Sequence, residues 1–268
     1  MTTREARSAF GLRIVPPGLY AGRSLVLLER SYLVYRRAWV PLLTGLVEPL
    51  LFLFSLGFGI GRLVADVEGV PYAQYVAPAL LATAAMNGAV YDAVFGVFVK
   101  FKYAKTYDAV LATPAGPMDI ALGEVAWSLL RGGLYSAGFT VVIFALDLAG
   151  SAWALLMLPA SLLVAAAFAA VGMAVTTFLR GWQDFDLVQL VIMPLFLFSA
   201  TFYPLSVYPE ALRGVVQLTP LYQATTLMRD LNSGNLHWGL LWPVLYFLVL
   251  GAIGVVVAAR RLGRLLLR

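Results

Sequence analysis

The sequence of 268 residues is 61% hydrophobic and only 12% charged, with a formal net charge of +5. Because an average soluble domain is about half apolar and a quarter charged, this composition excludes an ordinary soluble protein. The lack of cysteine excludes disulfides and thiolate metal sites, and the single histidine, His237, excludes a multi-histidine metal site. The basic residues lie beside hydrophobic segments, which favours contact with anionic lipid over contact with nucleic acid.

Residues 1–38 are predicted to form a cytoplasmic tail that ends in a helix lying in the membrane interface. Over 25–39, apolar and aromatic residues recur at three- and four-residue spacing while arginines occupy another face. A plain cytoplasmic extension of the first span is the alternative. The apolar face consists of Leu25, Leu28, Tyr32, Tyr35 and Trp39, and the arginines are Arg23, Arg30 and Arg37.

Six segments are long and apolar enough to cross about 30 Å of hydrocarbon. They cover 39–60, 76–99, 125–146, 153–179, 187–202 and 238–259. An even number of spans places both termini on one side, and the positive residues are retained in the cytoplasm. In this topology fifteen of the 19 Lys and Arg residues are cytoplasmic, including a basic tail over 260–268, and Arg131 lies near the cytoplasmic start of the third span. We therefore expect an all-α, multi-pass protein of the cytoplasmic (inner) membrane with both termini inside.

The segment 203–237 lies outside the cell in this topology, yet it is too apolar for an ordinary loop. Pro204, Pro209 and Pro220 divide it, and two short helices are predicted over 210–218 and 221–232. Lipid cannot satisfy non-helical backbone, so such segments enter the membrane only where protein buries them. We expect a re-entrant helical hairpin before the last span.

Polar residues inside spans are costly and are therefore functional candidates. Glu48 stands beside the helix-breaking Pro49, and its role is open between a structural partner of another helix and a proton relay or pathway residue. Gly57 and Gly61 have the spacing for close helix packing or a dimer contact. Asp92 is a second carboxylate within a predicted span. The candidates for a substrate path or gate are Glu48, Asn87, Tyr91, Phe202, Tyr203 and Tyr222.

The cytoplasmic loop 100–124 contains a short stretch compatible with a helix, closed by Thr113-Pro114. Val110 and Leu111 have no apolar partner within the loop itself, which indicates a docking element for another protein. The residues of this element are Thr106, Tyr107, Asp108, Ala109, Val110, Leu111, Ala112, Thr113 and Pro114.

Catalytic motifs are absent from the sequence. No lysine follows the glycines of a phosphate-binding loop, so we do not expect this chain to hydrolyse ATP or to bind a cofactor by itself. Asp184 and Asp186 have the spacing of a metal site in a membrane-embedded transferase, although we interpret them as a solvated cap before the fifth span.

Several short motifs in a fixed order resemble the membrane subunits of type-2 ABC exporters, in particular the nodulation-factor and anthracycline-drug export permeases. They are Glu48-Pro49 with Gly57 and Gly61, Tyr72 and Tyr75 before Pro78, Leu111-Ala112-Thr113-Pro114, Asp119-Ile120-Ala121-Leu122-Gly123-Glu124, Ser199, Phe202-Tyr203-Pro204-Leu205, and Thr219-Pro220-Leu221-Tyr222 with Arg229. The resemblance covers nearly the whole chain. It departs from the family pattern at Ala79, Ala200 and Gln223.

The resemblance implies a single six-helix membrane domain over 1–268 that pairs with a second permease subunit, identical or paralogous. It also implies two separate ATP-binding subunits, which hold the ATP and magnesium and dock on the 106–114 element as a coupling helix. The expected cargo is an amphipathic or hydrophobic molecule, such as a glycolipid, a lipid-linked saccharide or a drug. The alternatives are a stand-alone ion-coupled secondary carrier, which would use Glu48 and Asp92, and the transferase.

Overall fold

The computed structural model describes residues 22–35, 40–64 and 66–266. The remainder of the predicted tail over 1–38, the predicted start of the first span at Trp39 and the last two residues of the basic tail lie outside the described residues. Within them the chain is helical, with no β-strand and one isolated bridge between Val67 and Val70. The helices are α1 Ser24–Tyr35, α2 Val40–Phe52, α3 Tyr72–Tyr91, α4 Thr106–Leu111, α5 Pro117–Ala145, α6 Met157–Thr176, α7 Phe185–Leu197, α8 Glu210–Leu218, α9 Pro220–Ser233 and α10 Leu241–Leu266.

Two of these helices continue in a wider, π-helical form. Helix α2 passes into a π-helix over Leu53–Gly59, and α3 passes into π-helical turns over Asp92–Gly96 and Val99–Tyr103. Such turns interrupt the regular i→i−4 ladder and are frequent at functional sites. The helical rod that starts at Tyr72 therefore extends to Tyr103.

Four helical rods of the described residues are long and apolar enough to cross a membrane. They are Tyr72–Tyr103, Pro117–Ala145, Ala152–Thr176 and Trp238–Leu266. The protein is thus a membrane protein, but the expected count of six spans is not confirmed. At 1.5 Å per residue the 13 residues of α7 span only about 20 Å, less than the hydrocarbon thickness.

Helix α3 lies at the centre of the bundle. Fifteen of its 20 residues are buried, and it packs against α5, α6 and α9. Outside it, α10 packs closely on α6 at Gly254, where an added Cβ would lie 2.7 Å from the carbonyl carbon of Ala170. A side chain at that position would force the two helices apart.

The predicted cytoplasmic loop 100–124 is shorter than we expected. Helix α5 begins at Pro117, eight residues before the predicted start of the third span at 125, because Asp119 caps it. The Asp119 carboxylate accepts a hydrogen bond from the Gly116 N–H at 2.8 Å, and proline at the first helical position is already set for the helix. The connection between the rod that ends at Tyr103 and helix α5 is therefore only the short segment that contains α4.

The short helices before the last span were predicted well. Helix α8 has the predicted bounds, and α9 begins one residue before the prediction and ends at Gly234, which adopts a left-handed conformation at φ +76°. The Asn232 side chain donates to the Leu148 carbonyl at 3.2 Å, which ties α9 to the end of α5. The re-entrant position of these helices in a membrane is not confirmed.

Candidate functional site

A cavity of about 370 Å³ lies between α2, α3 and α5. Its apolar walls include Phe52, Leu80 and Phe95. Three residues that we predicted from the sequence to line a substrate path meet in this cavity, although they come from two helices. They are Glu48, Asn87 and Tyr91. The polar side chains that line the cavity are Glu48, Thr83, Asn87, Tyr91, Asp92, Arg131 and Tyr135.

Glu48 enters the cavity from α2 and faces α3. The Asn87 amide donates to Glu48 Oε1 at 3.4 Å, a long and weak hydrogen bond, and the Glu48 side chain is exposed. Pro49 lies inside α2, where it removes one backbone hydrogen bond. Glu48 therefore has the partner on another helix that the structural alternative expects, and it also keeps an accessible carboxylate.

Arg131 and Asp92 form an ion pair in the cavity wall, a partner that our sequence analysis did not give Arg131. Arg131 lies 14 residues into α5, which begins at Pro117, and its place near the cytoplasmic start of the third span stays a prediction. The Arg131 guanidinium donates to Asp92 and, at 3.2 Å, to the Tyr135 hydroxyl. The Ser128 hydroxyl donates to the second Asp92 oxygen at 3.0 Å. The charges of Arg131 and Asp92 thus compensate each other, as low-polarity surroundings require.

A second groove of about 190 Å³ adjoins the cavity on the α7 side, and its lining is mainly apolar, with Asp186 and Gln189 as polar members. Tyr91 and Phe95 line both spaces, and the Tyr91 hydroxyl donates to the Gln189 side chain at 3.3 Å. The rings of Phe95 and Phe185 stack at a centroid separation of 4.3 Å. The π-helical turn that begins at Asp92 forms the boundary between the polar cavity and this aromatic groove. A polar space and an apolar space therefore lie side by side.

The other predicted path residues do not line the cavity. Phe202 lies behind the cavity wall, and its ring centroid is 6.5 Å from that of Phe52. The ring of Tyr203 lies 4.9 Å from that of Tyr208, and Tyr222 packs on the small cluster that contains Tyr208. The sequence grouped these residues with Glu48 by composition alone, but the fold assigns them to the segment around α8 and α9.

Arg229 holds α9 against α3, a role that our sequence analysis missed. The guanidinium lies 3.7 Å from the Tyr75 ring centroid, donates to the Tyr75 carbonyl at 3.2 Å and donates to the Thr201 carbonyl at 2.8 Å. Such planar stacking combined with forked donation is specific to arginine. The sequence analysis noted Arg229 only as a member of the family motifs and among the charges outside the cytoplasm, and gave it no partner.

Helix α4 packs back onto its own protein, so Val110 and Leu111, for which we expected no apolar partner within the loop itself, do have apolar partners in the fold. Both are half-buried against a cluster with Ile120 and Leu262, and Tyr107 is fully enclosed. Burial and the neighbouring Glu124 carboxylate raise the pKa of the Tyr107 hydroxyl well above its ordinary value. The exposed residues of the predicted docking element are Asp108, Ala109, Ala112, Thr113 and Pro114.

Gly57 and Gly61 pack within the chain. A Cβ at Gly57 would lie 3.6 Å from the Cα of Ala73, and one at Gly61 would lie 3.5 Å from the Cβ of Tyr72. The two glycines thus bring the end of the first helical rod close to the start of α3. This agrees with the packing alternative, and the dimer contact stays a prediction.

Asp184 caps a turn, as we interpreted it. Its carboxylate accepts from the Arg180 N–H at 2.5 Å and from the Gly181 N–H at 3.4 Å. Asp186 lies in the first turn of α7. Among the residues that the structure describes, no group of three or more potential metal ligands occurs. The geometry gives the transferase alternative no support.

The chain matches the family model described as "ABC-2 type transporter" over residues 24–231. It is similar to Nodulation protein J of Rhizobium meliloti (strain 1021), with 32% identity over 218 residues that cover 79% of this chain and 82% of the relative. It is also similar to Nodulation protein J of Rhizobium leguminosarum bv. viciae, with 30% identity over 248 residues, or 90% and 95% of the two chains. Inner membrane transport permease YadH of Escherichia coli (strain K12) is 25% identical over 190 residues, or 70% and 73%. The chain therefore belongs to the ABC-2 type transporter family, as the permease component of an ABC transporter.

Proposed function

We propose that this chain exports an amphipathic or hydrophobic molecule, such as a glycolipid, a lipid-linked saccharide or a drug, across the cytoplasmic membrane. Two separate ATP-binding subunits supply the energy, and they carry the ATP and magnesium that this chain does not hold. The relatives named Nodulation protein J and inner membrane transport permease support a permease role in such a complex.

The adjoining cavity and groove carry this proposal. The head of an amphipathic cargo requires hydrogen-bonding partners, which Glu48, Asn87 and the Asp92–Arg131 pair supply. Its apolar part requires an apolar surface, which the stack of Phe95 on Phe185 and the neighbouring Val188 and Ile192 supply. Pockets that combine an apolar surface with a few placed polar groups are typical ligand sites.

The coupling helix α4 connects ATP binding to this cavity. Asp108 on α4 and Ala112 directly after it are exposed and available to an ATP-binding subunit, while Tyr107 fixes the other face of α4 to the base of α5. Helix α5 runs without interruption from Pro117 to Ala145 and carries Arg131 into the cavity wall. A push on α4 therefore moves α5 as one body. ATP can shift the equilibrium between two conformations of the transporter only by as much as its affinity for the two conformations differs.

The complete architecture that we propose has six spans. The rod of α2 with its π-helical extension supplies one crossing beyond the four long helices, and α7 together with the chain that follows it to residue 202 supplies the other. Both termini are cytoplasmic. Helices α8 and α9 form the re-entrant hairpin, since α9 buries Leu221, Leu227 and Met228 against the other helices. Two such permeases, identical or paralogous, form the transport unit.

A secondary carrier is the competing function, and Glu48 is the observation that favours it. Glu48 forms no ion pair with another described residue, so it is free to bind a coupling proton or cation. Asp92, the other carboxylate that a carrier would use, is held by Arg131 and Ser128. One accessible carboxylate is a weaker basis than the family match over 24–231.

The exporter proposal is tested by co-purification of the tagged chain with its ATP-binding subunits in detergent, followed by an ATPase assay. The informative variant is Ala112→Asp, because Ala112 is exposed directly after α4, does not line the groove between α1 and α4, and leaves Val110 and Leu111 in place. We expect loss of the ATPase subunits and of the associated ATP hydrolysis.

The matched control is Ala211→Asp, the same exchange on the exposed surface of α8. It should retain the ATPase subunits at the wild-type level. If the ATPase subunits bind all three proteins equally, α4 is not the docking element. If none binds the wild type and the purified chain moves a solute down an ion gradient, the chain is a carrier.

A further inference from the structure

A basic groove of about 660 Å³ lies between α1 and α4, and it shares no lining residue with the cavity. Three cationic residues line it, Arg23, Arg30 and Lys105, together with the apolar side chains of Val26 and Leu27. No carboxylate lines this groove among the described residues. Glu29 and Asp108 belong to the same two helices but face elsewhere. The groove thus combines a net positive charge with an apolar wall.

The position of α1 is fixed by contacts with α5, so the groove is formed before any ligand binds. A Cβ at Gly123 would lie 2.8 Å from the Leu27 Cβ and 3.2 Å from the Ser24 carbonyl oxygen. The Arg23 N–H donates to the buried Asp119 carboxylate at 2.7 Å. These contacts use the Arg23 backbone and leave its side chain in the groove.

The far side of the groove is the segment that begins the coupling helix. Lys105 precedes α4 and adopts a left-handed conformation at φ +45°, which is uncommon for a residue with a side chain. The Lys105 side chain lines the same space as the two arginines of α1. A ligand that bridges these cations would join α1 to α4.

The exposed apolar side chains of α1 show which solvent this groove meets. Leu25 is 74% exposed, Val26 is 61% exposed and Val34 is 62% exposed. A 12-residue helix with such a surface is stable where hydrocarbon meets head groups. The groove therefore opens at the level of lipid head groups, and under the proposed topology this is the cytoplasmic leaflet.

We propose that this groove binds one anionic phospholipid, with its phosphate between Arg23, Arg30 and Lys105 and an acyl chain along Val26 and Leu27. Basic pockets beside membrane helices on the cytoplasmic side are suited to such head groups. The bound lipid links the interfacial helix to the coupling helix and so steadies α4 for its partner. Lipid binding itself does not depend on the proposed transport function, whereas its effect on coupling does.

The test is native mass spectrometry of the purified chain, released from detergent in the presence of phosphatidylglycerol or phosphatidylcholine with the same acyl chains. We expect the wild type to retain one phosphatidylglycerol in preference to phosphatidylcholine. The double variant Arg30→Gln with Lys105→Asn should retain it roughly fivefold less for each cation removed. Asparagine is chosen because it tolerates the left-handed conformation at Lys105.

The control is Lys102→Gln with Arg180→Gln, which removes two exposed cations that do not line the groove and should leave retention unchanged. If the two double variants have the same thermal unfolding midpoint in phosphatidylcholine, the fold of the groove variant is intact. Equal phosphatidylglycerol retention by both double variants would overturn the proposal. The proposal would also fail if inorganic phosphate protected the wild type against thermal unfolding as strongly as phosphatidylglycerol does. It would fail as well if the groove variant kept the lipid but lost its ATP-binding subunits.

Discussion

Arg131 of α5 and Asp92, the first residue of the π-helical turn that continues α3, form an ion pair inside the helix bundle. The Ser128 hydroxyl donates a further hydrogen bond to the Asp92 carboxylate at 3.0 Å. The pair lies at the first π-helical turn of the α3 rod, where the polar cavity meets the aromatic groove. Only 18% of the Arg131 side chain and 13% of the Asp92 side chain are exposed. Removing one partner leaves an uncompensated charge at a site where water is scarce.

We expect Asp92→Asn and Arg131→Gln each to lower the free energy of unfolding by roughly 3 kcal/mol. The double variant should lose less than the sum, because neither charge is then left alone. Unfolding in mixed detergent micelles measures all three. Additive losses would show that the two residues contribute independently and that the ion pair is not the source of the effect.

Gly254 should tolerate no side chain. The Gly254→Ala variant places a Cβ at 2.7 Å from the Ala170 carbonyl carbon, so we expect α10 to separate from α6 at a cost of about 1–3 kcal/mol in unfolding free energy. The matched control is Gly214→Ala in α8, where the added Cβ meets nothing within 4 Å. Alanine is the better helix former, so the control should be neutral or slightly stabilising in thermal unfolding. Equal effects at both sites would contradict the packing argument.

Arg229 should not be replaceable by lysine. The Arg229→Lys variant keeps the charge but loses the planar stack on Tyr75 and the donation to both Tyr75 and Thr201. We expect a loss of roughly 3 kcal/mol in the free energy of unfolding and faster proteolysis of the α8–α9 segment. Arg62→Lys, at an exposed position, is the control. A stable Arg229→Lys protein would show that charge alone holds the hairpin.

Glu48 should set the charge preference for cargo. The described carboxylates of the cavity, Glu48 and Asp92, outnumber its one cation, Arg131, so the lining carries a net charge of −1. Glu48→Gln should weaken binding of a cationic amphipath about fivefold relative to a neutral one of equal chain length. Cargo-stimulated ATPase activity of the assembled complex measures this, with Glu210→Gln on α8 as the control. An unchanged preference would place the cargo head elsewhere.

Much of the helical architecture could be predicted from the sequence. Runs of about 20 apolar residues follow directly from the thickness of a membrane, and prolines and glycine mark the ends of α8 and α9 locally. The Asp119 cap of α5 was equally local, but the third span was bounded by length and apolarity, which do not register a cap. The ion pair of Arg131 with Asp92 joins two helices and was not visible in either pattern.

The candidate site was only partly predictable, since composition does not specify which residues meet. Glu48, Asn87 and Tyr91 converge as expected, but Tyr203 and Tyr222 belong with the hairpin helices. The partner of Asp92 lies 39 residues away along the chain. Val110 and Leu111 looked unpartnered because their contacts come from Ile120 and from Leu262 at the other end of the sequence.

The sequence by itself determined the class of the protein, because the hydrophobic content and the spacing of charges decide whether a chain belongs in a membrane. The order of its short motifs also indicated the family. Only the tertiary structure decided which polar residues share a cavity, which side of α4 is exposed, and how α1 and α4 enclose a basic groove. These depend on contacts between helices that are distant in the chain, and their geometry is set by side-chain packing rather than by local sequence.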